Sequence, residues 1–210
     1  MKVKETFIKS IMAGLCIGIG GACFLAIDNK IIGALFFTIG LFTICTRGYA
    51  LFTGRVGYAF DNDLKANLNL ILIWVGNLIG TNLVAVVLRF TRIGSAFVEK
   101  ASGMCDVKAQ DGILSLFILG IFCNMLMYIA VDGFKTNEHH VGKYIGLFLG
   151  VAGFILCGFE HCIADMFYFG MAWCWNPDMI FRLMIITLGN VVGGLLLPGL
   201  TKVSMLGKKD

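Results

Sequence analysis

Hydrophobic and polar positions fall in long blocks along this chain, with no single apolar face repeating through it. Apolar runs of the roughly 20 residues needed to cross a hydrocarbon core as helices cover approximately 6–27, 31–53, 66–89, 112–131, 144–168 and 179–200. Asp28-Asn29-Lys30, Asp61 to Lys65, Thr91 to Asp111, Lys135 to Lys143 and Asn176-Pro177-Asp178 punctuate them. This pattern predicts an all-α membrane protein with six transmembrane helices forming one domain over 1–210. The segment from Thr91 to Asp111, with Arg92, Glu99, Lys100, Asp106 and Lys108, reads as a longer connection.

Two of the six runs contain residues that a lipid-facing helix rejects. In the second, Arg47-Gly48-Tyr49 leads into Leu51-Phe52-Thr53-Gly54-Arg55, and charges and glycines this dense predict a break. In the fifth, Gly158 to His161 and then Asp165 interrupt the apolar sequence. An ionisable side chain at bilayer depth costs about 3 kcal/mol on insertion scales, so it survives by facing a cavity, a partner or a pathway. Gly76-Asn77-Leu78-Ile79-Gly80 in the third run and Gly189-Asn190-Val191-Val192-Gly193 in the sixth hold the same place in each half. Three spans followed by three reverse the second half against the first. The pattern therefore predicts a 3+3 inverted repeat in which broken helices 2 and 5 meet near the midplane. Helix ends carry unpaired N–H and C=O groups and partial charge, so two such breaks polarise a site for a small solute. His161 belongs to one break and Thr53 to the other. Asn77 and Asn190 read as interhelical glue in preference to substrate ligands.

Composition agrees. Of 210 residues, 58% are hydrophobic and 14% charged, with mean hydropathy +0.86, whereas soluble domains carry about 25% charged residues. The net charge of +4 does not point to nucleic acid, because the basic residues sit at span ends. Lys2, Lys4, Lys9, Arg55, Lys65, Lys135, Lys143, Lys202, Lys208 and Lys209 fall on one side, and Lys30, Arg89, Arg92, Lys100 and Lys108 on the other. The positive-inside rule then puts both termini in the cytoplasm, in a multi-pass protein of the cell inner membrane. The first span reads as an uncleaved helix. Most of the eight cysteines lie inside apolar segments without paired spacing and read as packing residues. His139-His140 have no further ligands nearby in the sequence, so no metal site is expected. No cofactor motif and no nucleophile–base arrangement is visible, which argues against an enzyme.

Phe159-Glu160-His161-Cys162-Ile163-Ala164-Asp165-Met166 resembles the Phe-Glu-His-x-x-Ala-Asn-Met motif of the formate/nitrite transporter family. Leu51-Phe52-Thr53-Gly54 is similar to that family's loop in the broken second helix, and the two Gly-Asn-x-x-Gly segments resemble its third and sixth helices. Lys108, followed by Asn124 within Gly-Ile-Phe-Cys-Asn, resembles its fourth-helix signature. The resemblance covers nearly the whole chain. It implies a homopentamer of aquaporin-like protomers, each passing small monovalent anions such as formate, nitrite or hydrosulfide, with protons as possible co-travellers. By position, His161 matches the pore histidine and Thr53 the threonine facing it. Lys108, Glu160, Asn124 and Asp165 match a polar network, while Phe37, Leu41, Leu51, Phe52 and Phe154 match apolar constrictions. An apolar neck rejects a hydrated ion and passes the neutral acid far more cheaply.

Three departures stand out. Ala50 replaces an acidic residue, Arg47 replaces a small one, and Asp165 replaces the asparagine four positions after the histidine. Arg47 is expected to pair with Asp165 or Glu160, since an unpaired buried charge is costly. The family's long segment ahead of the first helix has no counterpart in this sequence, so no gating role is carried over from it. The alternative expectation is a channel for water or a small neutral solute on the same scaffold.

Overall fold

A computed structural model describes residues 3–206; Lys2, Lys208 and Lys209, counted above for orientation, lie outside them. Among the described residues the chain forms α1 (Val3–Ala26), α2 (Lys30–Arg47), α3 (Phe52–Val56), α4 (Leu64–Arg89), α5 (Gly94–Gln110), α6 (Ile113–Thr136), α7 (His140–Cys157), α8 (Cys162–Ala172) and α9 (Pro177–Leu206). Six of these, α1, α2, α4, α6, α7 and α9, are long and apolar enough to cross a membrane. Their outward faces carry large apolar side chains such as Ile31, Phe36, Leu68, Ile71, Leu114 and Leu149. That surface suits a hydrocarbon solvent.

The two interruptions expected from the sequence are present and alike. Helices α2 and α7 end on Gly48 and Gly158, with φ of 68° and 72°. This left-handed conformation is strained for residues bearing a Cβ. Residues 48–51 and 158–161 then run without helix before α3 and α8 begin. In each break the chain is tied back identically: the Tyr49 N–H donates to the Ile44 carbonyl at 3.0 Å, and the Phe159 N–H to the Phe154 carbonyl at 2.9 Å. Ala50 N–H donates to Lys9 O at 3.2 Å and Glu160 N–H to Leu119 O at 3.4 Å.

One asparagine closes each break. Asn77 accepts from the Phe52 N–H at 2.9 Å and donates to Ser10 O and Ala50 O at 2.7 and 2.9 Å. Asn190 accepts from the Cys162 N–H at 2.9 Å and donates to Gly120 O and Glu160 O, both at 2.8 Å. Each side chain thus pairs the two backbone groups that its break leaves free of helix bonds, as a membrane interior requires, and ties them to a carbonyl of the neighbouring helix. The flanking glycines bring the helices close enough for this. A Cβ on Gly80 would overlap the Ile11 carbonyl oxygen, and one on Gly193 the Ile121 carbonyl oxygen.

The connection expected over Thr91 to Asp111 is instead the helix α5. Its inward stripe is Gly94, Phe97, Ala101, Cys105 and Lys108, spaced at helical period. Charged residues on its other face disguise that stripe in the sequence. Polar ties hold α5 across the end of the bundle. Lys100 donates to Leu25 O and Asp28 Oδ1, both at 2.8 Å, and holds the Asp28 carboxyl below its usual pKa. Arg182 of α9 donates to the carbonyls of Lys108 and Asp111 at 3.0 and 2.7 Å.

Replacing Asn77 or Asn190 by Ala leaves two buried backbone groups of the break unpaired, each worth about 1–3 kcal/mol, and removes a further bond to a carbonyl of the neighbouring helix. Thermal unfolding in detergent is expected to show either variant clearly destabilised. Thr46→Ala, which loses only two exposed back-bonds within α2, is the control and should melt within about 0.5 kcal/mol of the parent.

Candidate functional site

The two breaks meet through one hydrogen bond. Thr53, in the first turn of α3, has its Oγ1 2.9 Å from His161 Nε2, at the N-cap of α8. Both residues are buried. The orientation of the imidazole is set by its own helix, because the Ala164 N–H donates to His161 Nδ1 at 3.1 Å. A neutral ring whose Nδ1 accepts carries its proton on Nε2. The ring therefore directs an N–H at Thr53 Oγ1. Phe154 stacks on the imidazole with centroids 5.3 Å apart and planes 15° apart, and Phe37 meets Phe154 edge-on at 6.1 Å.

A cavity of about 330 Å³ opens on one side of this contact, lined by Lys108, Glu160, His161, Asp165, Phe37 and Phe154 among others. A second, of about 230 Å³, lies on the other side, lined by Leu41, Ile44, Leu51, Gly54, Arg55 and Lys135 among others. The partition between them consists of the Thr53–His161 pair with Phe37, Leu41, Leu51 and Phe154. Four of the five expected constriction residues are thus brought together. Phe52 is not one of them: it lines neither cavity, and its amide is the group clamped by Asn77.

Lys108 extends from the last turn of α5 into the first cavity. Its Nζ is 2.9 and 2.7 Å from Glu160 Oε1 and Oε2, and 3.3 Å from Asp165 Oδ1. All three side chains are more than nine-tenths buried. Glu160 comes from the break before α8 and Asp165 from its first turn, where a helix N-terminus favours a carboxylate. Two expected members of this network are elsewhere. Arg47 is exposed at the end of α2 and makes no ion pair among the described residues; Lys108 occupies the place beside both carboxylates that Arg47 was expected to fill. Asn124 donates to Asn190 O at 2.6 Å across the α6–α9 contact, so it supports the clamp at Asn190 rather than the ion cluster.

The sequence reading missed Arg55 and Lys135 as a basic pair facing the second cavity. Lys135 Nζ lies 3.7 Å above the Tyr58 ring, and the Tyr58 hydroxyl donates to Asp132 Oδ1 at 3.0 Å. Their sequence separation hides the pair. Ala164 was also unforeseen, because its contribution is a backbone amide.

Fold and site define a multi-pass membrane protein in which two interrupted helices face each other between two cavities. The family description "Formate/nitrite transporter" matches residues 1–204, and the chain belongs to that family. It is 25% identical over 239 residues to the formate channel FocA of Haemophilus influenzae, covering 92% of this chain and 84% of that protein. It is 26% identical over 219 residues to the nitrite transporter NirC of Escherichia coli, covering 92% and 81%. A solved pentameric formate channel with formate bound matches with a TM-score of 0.80 and 25% identity over 97% of each chain.

Lys108→Met strands two carboxylates without their counter-ion, and breaking a buried pair this way costs about 3–5 kcal/mol. The expected outcome is loss of folded protein by size-exclusion chromatography. Adding Glu160→Gln and Asp165→Asn should restore it, since an uncharged cluster needs no ammonium. A stable Lys108→Met single variant would show that the cluster is solvated instead of buried.

Proposed function

We propose that this protein is a channel for small monovalent weak-acid anions of the formate, nitrite or hydrosulfide class, and that it transports without catalysing a reaction. The Thr53–His161 contact carries this reading: it is the one polar point in an otherwise apolar partition between two cavities with basic residues. An anion that enters the first cavity meets in the partition an Nε2–H that donates to it. A proton taken from cavity water, which leaves hydroxide in the cavity and the imidazole neutral, gives the neutral acid, which passes apolar rings far more cheaply than its ion. In this reading Phe37, Leu41, Leu51 and Phe154 form the constrictions, and Thr53 receives the solute from His161.

The whole of 1–210 acts as one channel domain, with the halves as an inverted repeat; the matched breaks and asparagine clamps support this. Assembly is homopentameric, by analogy with the related formate channel, and the apolar outer faces supply surface for lipid and neighbouring protomers. The Lys and Arg distribution supports both termini lying in the cytoplasm and the protein residing in the inner membrane. A second reading, a water or neutral-solute channel, draws support from the two carboxylates that share one ammonium in the first cavity.

Flux of formate, nitrite, hydrosulfide and chloride into proteoliposomes, measured beside water permeability across several pH values, separates these readings. The parent should move at least one weak-acid anion faster than chloride. His161→Asn should slow weak-acid flux at every pH tested, because an amide N–H does not reproduce the position and direction of the imidazole Nε2–H. If water or an uncharged solute moves and no anion does, the anion-channel reading fails.

A further inference from the structure

The ion cluster on the first cavity is unbalanced. Lys108 is one ammonium, and both Glu160 and Asp165 reach it, at 2.7 and 3.3 Å. Two carboxylate oxygens within one ammonium's span repel each other when both are ionised. The sites are 6% and 2% exposed, so solvent screens them little. Asp165 Oδ2 is buried without a hydrogen-bond partner among the described residues. Such an oxygen suits the hydroxyl of a carboxylic acid better than a bare charge.

Among the described residues the surroundings supply no second cation to the pair. Towards it α5 contributes Lys108 and Cys105, α6 contributes Cys123, and α8 contributes Cys162 and Tyr168. His161 and, from α2, Lys30 line the same cavity. Lys30, an exposed residue, donates to Leu156 O at 3.3 Å, and its charge is solvated. Thiols and a phenol are neutral at ordinary pH. His161 offers an acceptor at Nδ1 to Ala164, and so it adds no positive charge.

We propose that Glu160 and Asp165 bind one exchangeable proton between them, and that this proton decides whether the cavity admits anions. With the proton bound, Lys108 is balanced by one carboxylate and the cavity wall is neutral. When the proton passes to cavity water, the cluster carries one net negative charge at the approach to His161. That charge lowers the local concentration of any anion. Asp165 is therefore the specificity-determining residue, because it converts a fixed ion pair into a titratable one. This inference rests on the anion-channel reading, and it adds a proton site distinct from the imidazole.

Two measurements on the purified full-length protein in liposomes test it. Infrared spectroscopy at neutral pH should show the carbonyl stretch of a protonated carboxylic acid, which disappears on raising the pH and is absent in Asp165→Asn. Surface carboxylates, all ionised at that pH, contribute nothing to this band. In parallel, formate uptake by the parent should fall with that titration, while Asp165→Asn retains about tenfold more flux at alkaline pH, as expected for removing one unit charge near the path. A parent without the band at neutral pH overturns the proposal. So does a band whose titration leaves the parent and Asp165→Asn with the same flux profile. If the parent passes no anion at any pH, the anion-channel reading fails with the proposed control of flux, while the infrared titration still tests the proton site alone. Should Asp165→Asn fail to fold, the band and its titration in the parent decide the matter.

Discussion

Two pieces of broken helix buried away from water impose the constraint on which the rest depends. Every backbone N–H and C=O exposed by a break needs a partner, because hydrocarbon offers none. Asn77 and Asn190 solve this in the same way, each accepting one amide and donating to two carbonyls. Few side chains can do so. Asp has no donor, Ser has one, and Leu has neither. The glycines beside each asparagine follow from the same requirement, since a short amide bridges to the neighbouring helix only where the backbones nearly touch.

With the frame satisfied, the chemistry follows from what stands at equivalent places within it. Asn77 holds the carbonyl of Ala50, and Asn190 that of Glu160. The helix resumed at Phe52 has Arg55 three residues on, and the helix resumed at Cys162 has Asp165 at the same step. Backbone geometry repeats while charge does not. One half presents a methyl group and a guanidinium and the other two carboxylates that share the Lys108 ammonium, so the two cavities differ in charge around a shared partition.

Much of this was legible in the sequence, and the exceptions have physical causes. Long apolar runs and dense glycine or charge betray spans and breaks, because lipid tolerates few alternatives. Phe159 to Met166 stands out because ionisable residues are rare at that depth, and the bond between Thr53 and His161 joins residues of opposite breaks. Helix α5 escaped because its apolar stripe is narrow and charge covers its other face. Arg47 misled for a related reason: a charge beside a break reads as buried, yet at a helix end a long side chain reaches solvent. Which cation meets Glu160 and Asp165 is a tertiary fact, fixed by where α5 lies, and local spacing does not reveal it.

That placement explains why the acidic half tolerates its charges. The hydrogen bonds that tie the two breaks come from α1 and α4 at one and from α6 and α9 at the other, and α5 supplies none of them among the described residues. It alone brings an ammonium to the carboxylates, and it is held there by Arg182 gripping the carbonyls of Lys108 and Asp111 and by Lys100 at its middle. Losing those ties would free α5 to withdraw Lys108, and two buried carboxylates would face each other alone. The position of a surface helix and the charge on the approach to His161 are therefore one quantity. A contact at the rim, made by Lys100, Asp111 and Arg182, which line neither cavity, sets the electrostatics of the narrow part.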